Sequence, residues 1–430
     1  MSKRHLSETE LRKQRKARRL AIYKKRKLEV FKAKLKLFII FIAAVFLIKV
    51  KLLSSPGGSE KENTAKQTDS VSDKLHDQSN IEEESQHIKA PDYEKDLEAV
   101  IDNYRYSDGL DPDYEIKGSA ELSEDAKHFF RGYSPVRTES TVTLPLEMSK
   151  NTAAGNDTLR QGSSNISEES EAGSNDVFLD SESAVLIDLD EGTVLVERNA
   201  DVAVYPASMT KVLTMLVAEE QISDRSGTFT ITRDITDLTF SESLSAVSWD
   251  VGETVTLADL EYGTILPSGA DAAIGMARYS VGSEDKLVEL MNKRVKAMGL
   301  SEHTKFTNVT GMYDDNQTVA LIDMAMIMKA AVSNKRLLEV MRTGEYTTSA
   351  TKEHPKGVYF FNLFLDRTQN IEMPGTVVAA KTGYTVEALN CAVSYYVSES
   401  GKHYVCATAR GHGSRRVVTD HVNLYKEYAK

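Results

Sequence analysis

The chain has 430 residues, a length that points to two or three structural units and excludes a peptide hormone or a stapled mini-protein. Apolar residues at 41% and charged residues at 27% suit a protein with a sizeable core, and two cysteines exclude a disulfide framework or a Cys-only zinc site. The net charge of −11 is segregated: residues 1–36 hold 15 Lys/Arg against Glu8, Glu10 and Glu29, a balance of +12 that leaves −23 for the remainder.

In chain order, the basic block runs into Leu37–Ile48, which has no polar side chain, and Leu35–Leu53 is interrupted only by Lys36, Lys49 and Lys51. Twelve apolar residues fall short of the roughly 20 that span a bilayer, but lysines at both ends can snorkel and lengthen the span. The pattern predicts a basic cytoplasmic segment over 1–36 and a membrane anchor over 37–53. A cleaved secretory signal has an apolar region of similar length, yet no clear small-x-small site follows Leu53 and the basic lead is long. A nucleic-acid arm is the third reading, disfavoured by the apolar run directly behind it. The preferred reading is a single-pass protein of the cell membrane, with its remainder outside the cytoplasm and no nucleic-acid partner.

Residues 54–176 carry 27 Asp/Glu against 12 Lys/Arg, with many Ser, Asn, Thr and Gly and few apolar runs. Such a segment buries too little surface to offset the entropy of ordering, and it reads as an acidic disordered linker with an rms span of roughly 60 Å. Short helices are expected at Tyr93–Tyr106 and Leu122–Phe130, with Phe129-Phe130 as a docking point.

Regular patterning begins near Val177 and sets a domain over 177–430. Ser183–Ile187 and Thr193–Glu197 flank an acidic turn ending in Gly192 and read as a hairpin. A helix is expected from Ala207–Ser208 onward, and others at Leu257–Ile265, Ala270–Ser280, Glu284–Met298, Leu321–Val332 and Arg416–Tyr428. Asn390–Val397 and His403–Ala409 make a second hairpin around Ser-Glu-Ser-Gly-Lys. Strands at both ends with helices between them predict an α+β fold: an antiparallel sheet completed by both ends of the domain and flanked by helices. In that second hairpin Cys406 should fall opposite Ser394 or Tyr395. Cys391 is then ~10 Å or more away, beyond a disulfide reach of about 7 Å, so both thiols should be free and buried.

Ser208 and Lys211 stand three apart at a helix start and share a face. A serine hydroxyl needs a base, and a lysine serves if burial or a nearby cation lowers its pKa; the helix amino terminus adds N–H groups for a developing oxyanion. Alone this pair is a weak signal. Ser268 follows 60 residues later in Pro267-Ser268-Gly269-Ala270-Asp271-Ala272, a turn between two helical patterns. Lys381-Thr382-Gly383 comes 113 residues after that, behind the strand-like Val377–Ala380, and Gly383 would let a substrate approach the strand edge. Three motifs in this order and context form a specific signature. The nine histidines show no H-E-x-x-H or comparable pair, so no metal or other cofactor is expected.

Over most of 180–428 the chain resembles the serine D-alanyl-D-alanine carboxypeptidases, the low-molecular-mass penicillin-binding proteins. The likeness is carried by Tyr205–Lys211, Gly252-Glu253 through Asp259-Leu260, Ser268-Gly269 with Asp271-Ala272-Ala273, Phe306–Met312 and Lys381–Thr385. It implies a β-lactamase/DD-peptidase-like fold with a helical subdomain. It also implies that Ser208 attacks the penultimate D-alanine carbonyl of a peptidoglycan stem peptide ending in D-alanyl-D-alanine while Lys211 takes its proton. Ser268 would relay a proton to the leaving amine, Lys381, Thr382 and Gly383 would bind substrate, and the N–H groups of Ser208 and Tyr384 would form the oxyanion hole. β-Lactams would be covalent inhibitors. A chain beginning near Asp176 should then be soluble and active.

Two departures stand out. The family usually has Ser-x-Asn at the second motif, where this chain has Ser268-Gly269-Ala270, and it commonly has Ala-Gly where Ala388-Leu389 stands here. The second change is expected to alter the strand or narrow the cleft. Serine β-lactamases share S-x-x-K and K-T-G but use Ser-Asp-Asn and a Glu-x-x-Leu-Asn segment; Glu302 lacks that context and reads as a solvated loop acid.

Overall fold

A computed structural model describes residues 114–118, 121–146 and 177–430. The basic segment 1–36, the apolar run 37–53 and the expected helix at Tyr93–Tyr106 lie outside the described residues. Among the described residues no helix is long and apolar enough to cross a membrane.

The strands are β1 (Val136–Thr143), β2 (Ser183–Asp188), β3 (Thr193–Arg198), β4 (Ala203–Val204), β5 (Thr228–Thr230), β6 (Thr254–Thr256), β7 (Val319–Ala320), β8 (Glu345–Thr347), β9 (Tyr359–Phe361), β10 (Gly375–Thr385), β11 (Leu389–Ser398) and β12 (His403–Gly411). The helices are α1 (Thr210–Glu219), α2 (Arg233–Ser241), α3 (Leu257–Ile265), α4 (Ala270–Val281), α5 (Glu284–Ala297), α6 (Leu321–Ser333), α7 (Lys335–Arg342), α8 (Leu363–Thr368) and α9 (Arg416–Tyr428). Both hairpins and five of the expected helices form within two residues of their anticipated bounds, and two of those helices carry side-chain caps. Thr256, for example, caps α3 in a reciprocal capping box with Asp259.

Six strands form the main sheet in the order β1-β3-β2-β12-β11-β10. The antiparallel pairing of β12 with β2 joins the two ends of the 177–430 region, and Ser394 stands opposite Cys406 as anticipated. Both cysteines are free and buried. β2 is buried on both faces. The larger core lies between the sheet and the wholly buried α6, which packs on β12, β11 and β2 and against α1. α9 covers the opposite face over a smaller core containing Tyr396, Cys406 and Tyr425.

The structure corrects two expectations. The sheet is mixed, because β1 pairs with β3 in parallel. And β1 belongs to the region read as linker: residues 114–118 and 121–146 are packed against the domain. Tyr114, Ile116, Phe129 and Tyr133 join the larger core and Leu144 the smaller one. The N–H groups of Lys117 and Gly118 donate to the Glu220 carbonyl at 2.9 and 2.7 Å, closing the end of α1. Tyr114 donates its hydroxyl to the Glu220 carboxylate at 2.8 Å, and the same carboxylate pairs with the fully buried Arg294 at 3.0 Å. Lys329 bonds the Gly132 carbonyl and lies 4.3 and 4.5 Å from the ring centres of Phe130 and Tyr133. Phe129-Phe130 is thus a docking point, although Leu122–Phe130 contains only the short 3₁₀ turn Asp125–Lys127. Composition averaged over 123 residues conceals this strap, whose attachment needs only a few aromatic rings and backbone bonds.

Candidate active site

The serine turn is set by backbone conformation. Ala207 adopts a left-handed φ of +45°, and the 3₁₀ turn Ala207–Met209 then leads into α1. A non-glycine residue there stores strain of about 1–3 kcal/mol, retained where packing over-determines the conformation. Ser208 is left half-buried and Lys211, one turn on, is buried with Nζ 3.1 Å from Ser208 Oγ. The two expected partners share one face.

β10 runs along this turn. Its pairing with β11 places Lys381 opposite Val393 and Gly383 opposite Cys391. A side chain at Gly383 would begin 2.7 Å from the Cys391 sulfur and 3.0 Å from the Ser208 nitrogen, so glycine is what lets the strand lie against the nucleophile turn. Thr382 is half-buried and Tyr384 is exposed near the end of the strand. Lys381 donates to Ser268 Oγ at 2.9 Å and to the Thr382 carbonyl at 2.8 Å. Ser268 sits at a left-handed φ of +63° between α3 and α4; the N–H groups of Gly269 and Ala270 fix that turn by donating to Gly263 and Ser245 carbonyls at 2.9 and 2.7 Å. The structure therefore brings Ser208, Lys211, Ser268 and the Lys381–Tyr384 strand together.

Electrostatics follow from burial. Removal from water disfavours an ammonium, and the Lys381 charge adds to that at Lys211, which is held well below the ordinary lysine range against a smaller opposing pull from Asp271. Burial brings Lys381 down to about 7. Asp271 is itself engaged, accepting N–H bonds from Val247 and Ser248 at 2.9 Å each. A neutral amine beside a hydroxyl, with donors nearby, is equipped for acyl transfer through serine.

Several residues of this neighbourhood carry no sequence signal of their own. Thr310 presents its carbonyl 2.5 Å from Lys211 Nζ, in the Phe306–Met312 stretch to which sequence assigned no role. Cys391 supplies no nucleophile: burial pushes its thiol up to about 12, and it lies 3.4 Å from the Pro206 carbonyl as packing for the turn. Leu389 takes a left-handed φ of +57°, the conformation glycine would adopt, and the β10–β11 pairing runs through it intact to Thr385. A non-glycine residue in that conformation stores local strain. Glu302 is exposed in its loop. Among the described residues no group of three or more His, Cys, Asp or Glu is placed to hold a metal ion.

A family model described as D-alanyl-D-alanine carboxypeptidase matches residues 169–405. The chain is similar to the D-alanyl-D-alanine carboxypeptidase DacF of Bacillus subtilis, 31% identical over 214 residues covering 49% of this chain and 53% of that protein. It is also similar to DacA of Escherichia coli, 32% identical over 219 residues covering the same shares. The chain thus spans about half the length of the curated relatives it matches. Among solved structures, the Streptomyces K15 DD-transpeptidase aligns with a TM-score of 0.54 at 23% identity, covering 58% of this chain and 97% of that one. A D-alanyl-D-alanine carboxypeptidase from Mycobacterium tuberculosis aligns with a TM-score of 0.52 at 25% identity, covering 60% and 94%.

Proposed function

The chain belongs to the D-alanyl-D-alanine carboxypeptidase family, and from that premise we propose that it is a serine DD-carboxypeptidase that trims peptidoglycan stem peptides and is acylated by β-lactams. The observation that carries the proposal is the 3.1 Å contact between Ser208 Oγ and the buried Lys211 amine, with Lys381 tied to Ser268 alongside.

In this reading neutral Lys211 takes the Ser208 proton as Oγ attacks the carbonyl of the penultimate D-alanine. The oxyanion is held by the N–H groups of Ser208 and Tyr384. Lys381 and Thr382 hold the terminal carboxylate, whose charge favours the protonated form of Lys381. Collapse of the tetrahedral species breaks the peptide bond, and the departing amine takes a proton passed from Lys211 through Ser268. Water then attacks the acyl-serine, giving its proton to Lys211 and releasing the shortened peptide and Ser208. The same attack on a strained lactam amide yields a penicilloyl-serine.

A labelled penicillin should attach to Ser208 of the full chain, and D-alanine should be released from a D-alanyl-D-alanine peptide. The Ser208→Ala variant should do neither; a wild-type protein that takes no label and releases no D-alanine ends the proposal.

The placement is a second part of this reading: residues 37–53 anchor the chain, with the carboxy-terminal region outside the cytoplasm. Its support is the basic block followed by the lysine-flanked apolar run. Membrane fractions of producing cells should retain the protein after a high-salt wash, and protease added outside protoplasts should digest its carboxy-terminal region. Recovery in the soluble cell interior would dismiss it.

A further inference from the structure

The base of the proposed reaction has few oxygen partners. Ser268 Oγ is engaged by Lys381, and Ala270, buried at the start of α4, offers no polar side chain. The partner nearest to Lys211 Nζ is the Thr310 carbonyl at 2.5 Å, closer than Ser208 Oγ at 3.1 Å. What aims that carbonyl is a turn built on one side chain. Asn308 Oδ1 accepts the N–H groups of Thr310 and Gly311 at 3.2 and 2.8 Å and the Thr310 hydroxyl at 3.2 Å, while its Nδ2 donates to the Met312 carbonyl at 2.9 Å.

Two contacts lock the turn to the nucleophile. Thr214, one turn beyond Lys211 on α1, donates its hydroxyl to the Val309 carbonyl at 2.8 Å. Gly311, at a left-handed φ of +79°, is pressed on the strained Ala207: a side chain there would begin 1.8 Å from the Ala207 carbonyl oxygen. One turn therefore meets the base through Thr310 and the serine elbow through Gly311.

We infer that Asn308 is a positioning residue for proton transfer: it builds the turn whose Thr310 carbonyl orients the Lys211 amine toward Ser208. The inference rests on the proposed reaction. A neutral amine has two N–H bonds and one lone pair; when one N–H is committed to Thr310, the lone pair can be directed at the serine proton. After transfer, the carbonyl accepts from the ammonium and steadies it until the proton moves on. The charged groups that also act on Lys211 are Lys381, which disfavours the ammonium, and Asp271, which favours it.

The test measures acylation of the full chain by a labelled penicillin across pH, for wild type, Asn308→Ala, Asn308→Ser and Asn308→Asp. The alanine variant should acylate roughly 100-fold more slowly at the plateau, the lower end of what a general base contributes. Its acidic limb should move to lower pH, because the ammonium has lost an acceptor. The aspartate variant, which keeps the accepting oxygen, should recover most of the rate. An alanine variant with wild-type rate and limb overturns the inference, as does a limb moved upward, which would report water entering a loosened site. Should the alanine variant not fold, the serine variant is read against the aspartate by the same criteria. A wild-type protein that takes no label removes the proposed function and this inference together; labelled wild type with an unaffected variant removes the inference alone.

Discussion

Two groups of buried cations among the described residues are treated in contrasting ways. Under the amino-terminal strap, Arg294 is matched by the Glu220 carboxylate and lies 5.3 and 5.7 Å from the ring centres of Tyr114 and Tyr133, and Lys329 has the Gly132 carbonyl and two aromatic faces. At the serine turn, Lys211 and Lys381 are bonded to hydroxyl and carbonyl oxygens, burial disfavours the ammonium form of both, and the Lys381 charge adds to that at Lys211. A buried charge without a partner is expensive, so a fold that keeps one normally neutralises it or shifts its pKa. Arg294 under the strap takes the first course and the serine turn the second. At Lys211 burial and the Lys381 charge outweigh the smaller pull of Asp271, whereas Arg294 is given a carboxylate directly.

The comparison can be broken most sharply at its reactive end. Lys211→Met should lower the acylation rate by about 10²–10⁴-fold, the range for loss of a general base, while thermal stability holds or rises because a poorly compensated buried amine has gone. A large fall in melting temperature would mean that Lys211 is structural. At the other end, Arg294→Met leaves Glu220 buried without its cation and should cost about 3–5 kcal/mol in denaturant unfolding, with the acylation rate of the folded fraction preserved. An unchanged midpoint would show that the strap site is not a matched pair.

A pH dependence sharpens the contrast further. Lys381 falls to about 7 in the folded chain against 10.5 for an ordinary lysine, so between those values the unfolded chain binds more protons. Stability therefore rises with pH across that window and is lowest below it. Wild type measured against Lys381→Met should gain relative stability from pH 7 toward pH 10, and a flat difference would contradict the burial argument.

The strap also shows where reading the sequence stops. Its acidic, serine-rich composition argued for a tether, and a chain beginning at Asp176 was expected to suffice; Tyr114, Phe129 and Tyr133 in the core mean that such a chain would lack part of its own interior. Three helices were likewise not legible. α2 is threonine-rich with weak helix propensity, α7 follows α6 after Asn334 alone, and the six-residue α8 depends on the Asn362 cap. The Thr310 carbonyl left no trace because a main-chain acceptor has no residue type.

Sequence by itself determined the order of the three motifs, both hairpins, the free thiols and the adjacency of Ser208 and Lys211, since each follows from periodicity or spacing along a short stretch. Tertiary structure alone decided the parallel β1 edge, the convergence of Ser268 and Lys381, the turn at Asn308 and the depressed lysines. Those depend on which distant groups share a water-free volume, and burial is a property of the assembled neighbourhood, which no local window of residues contains.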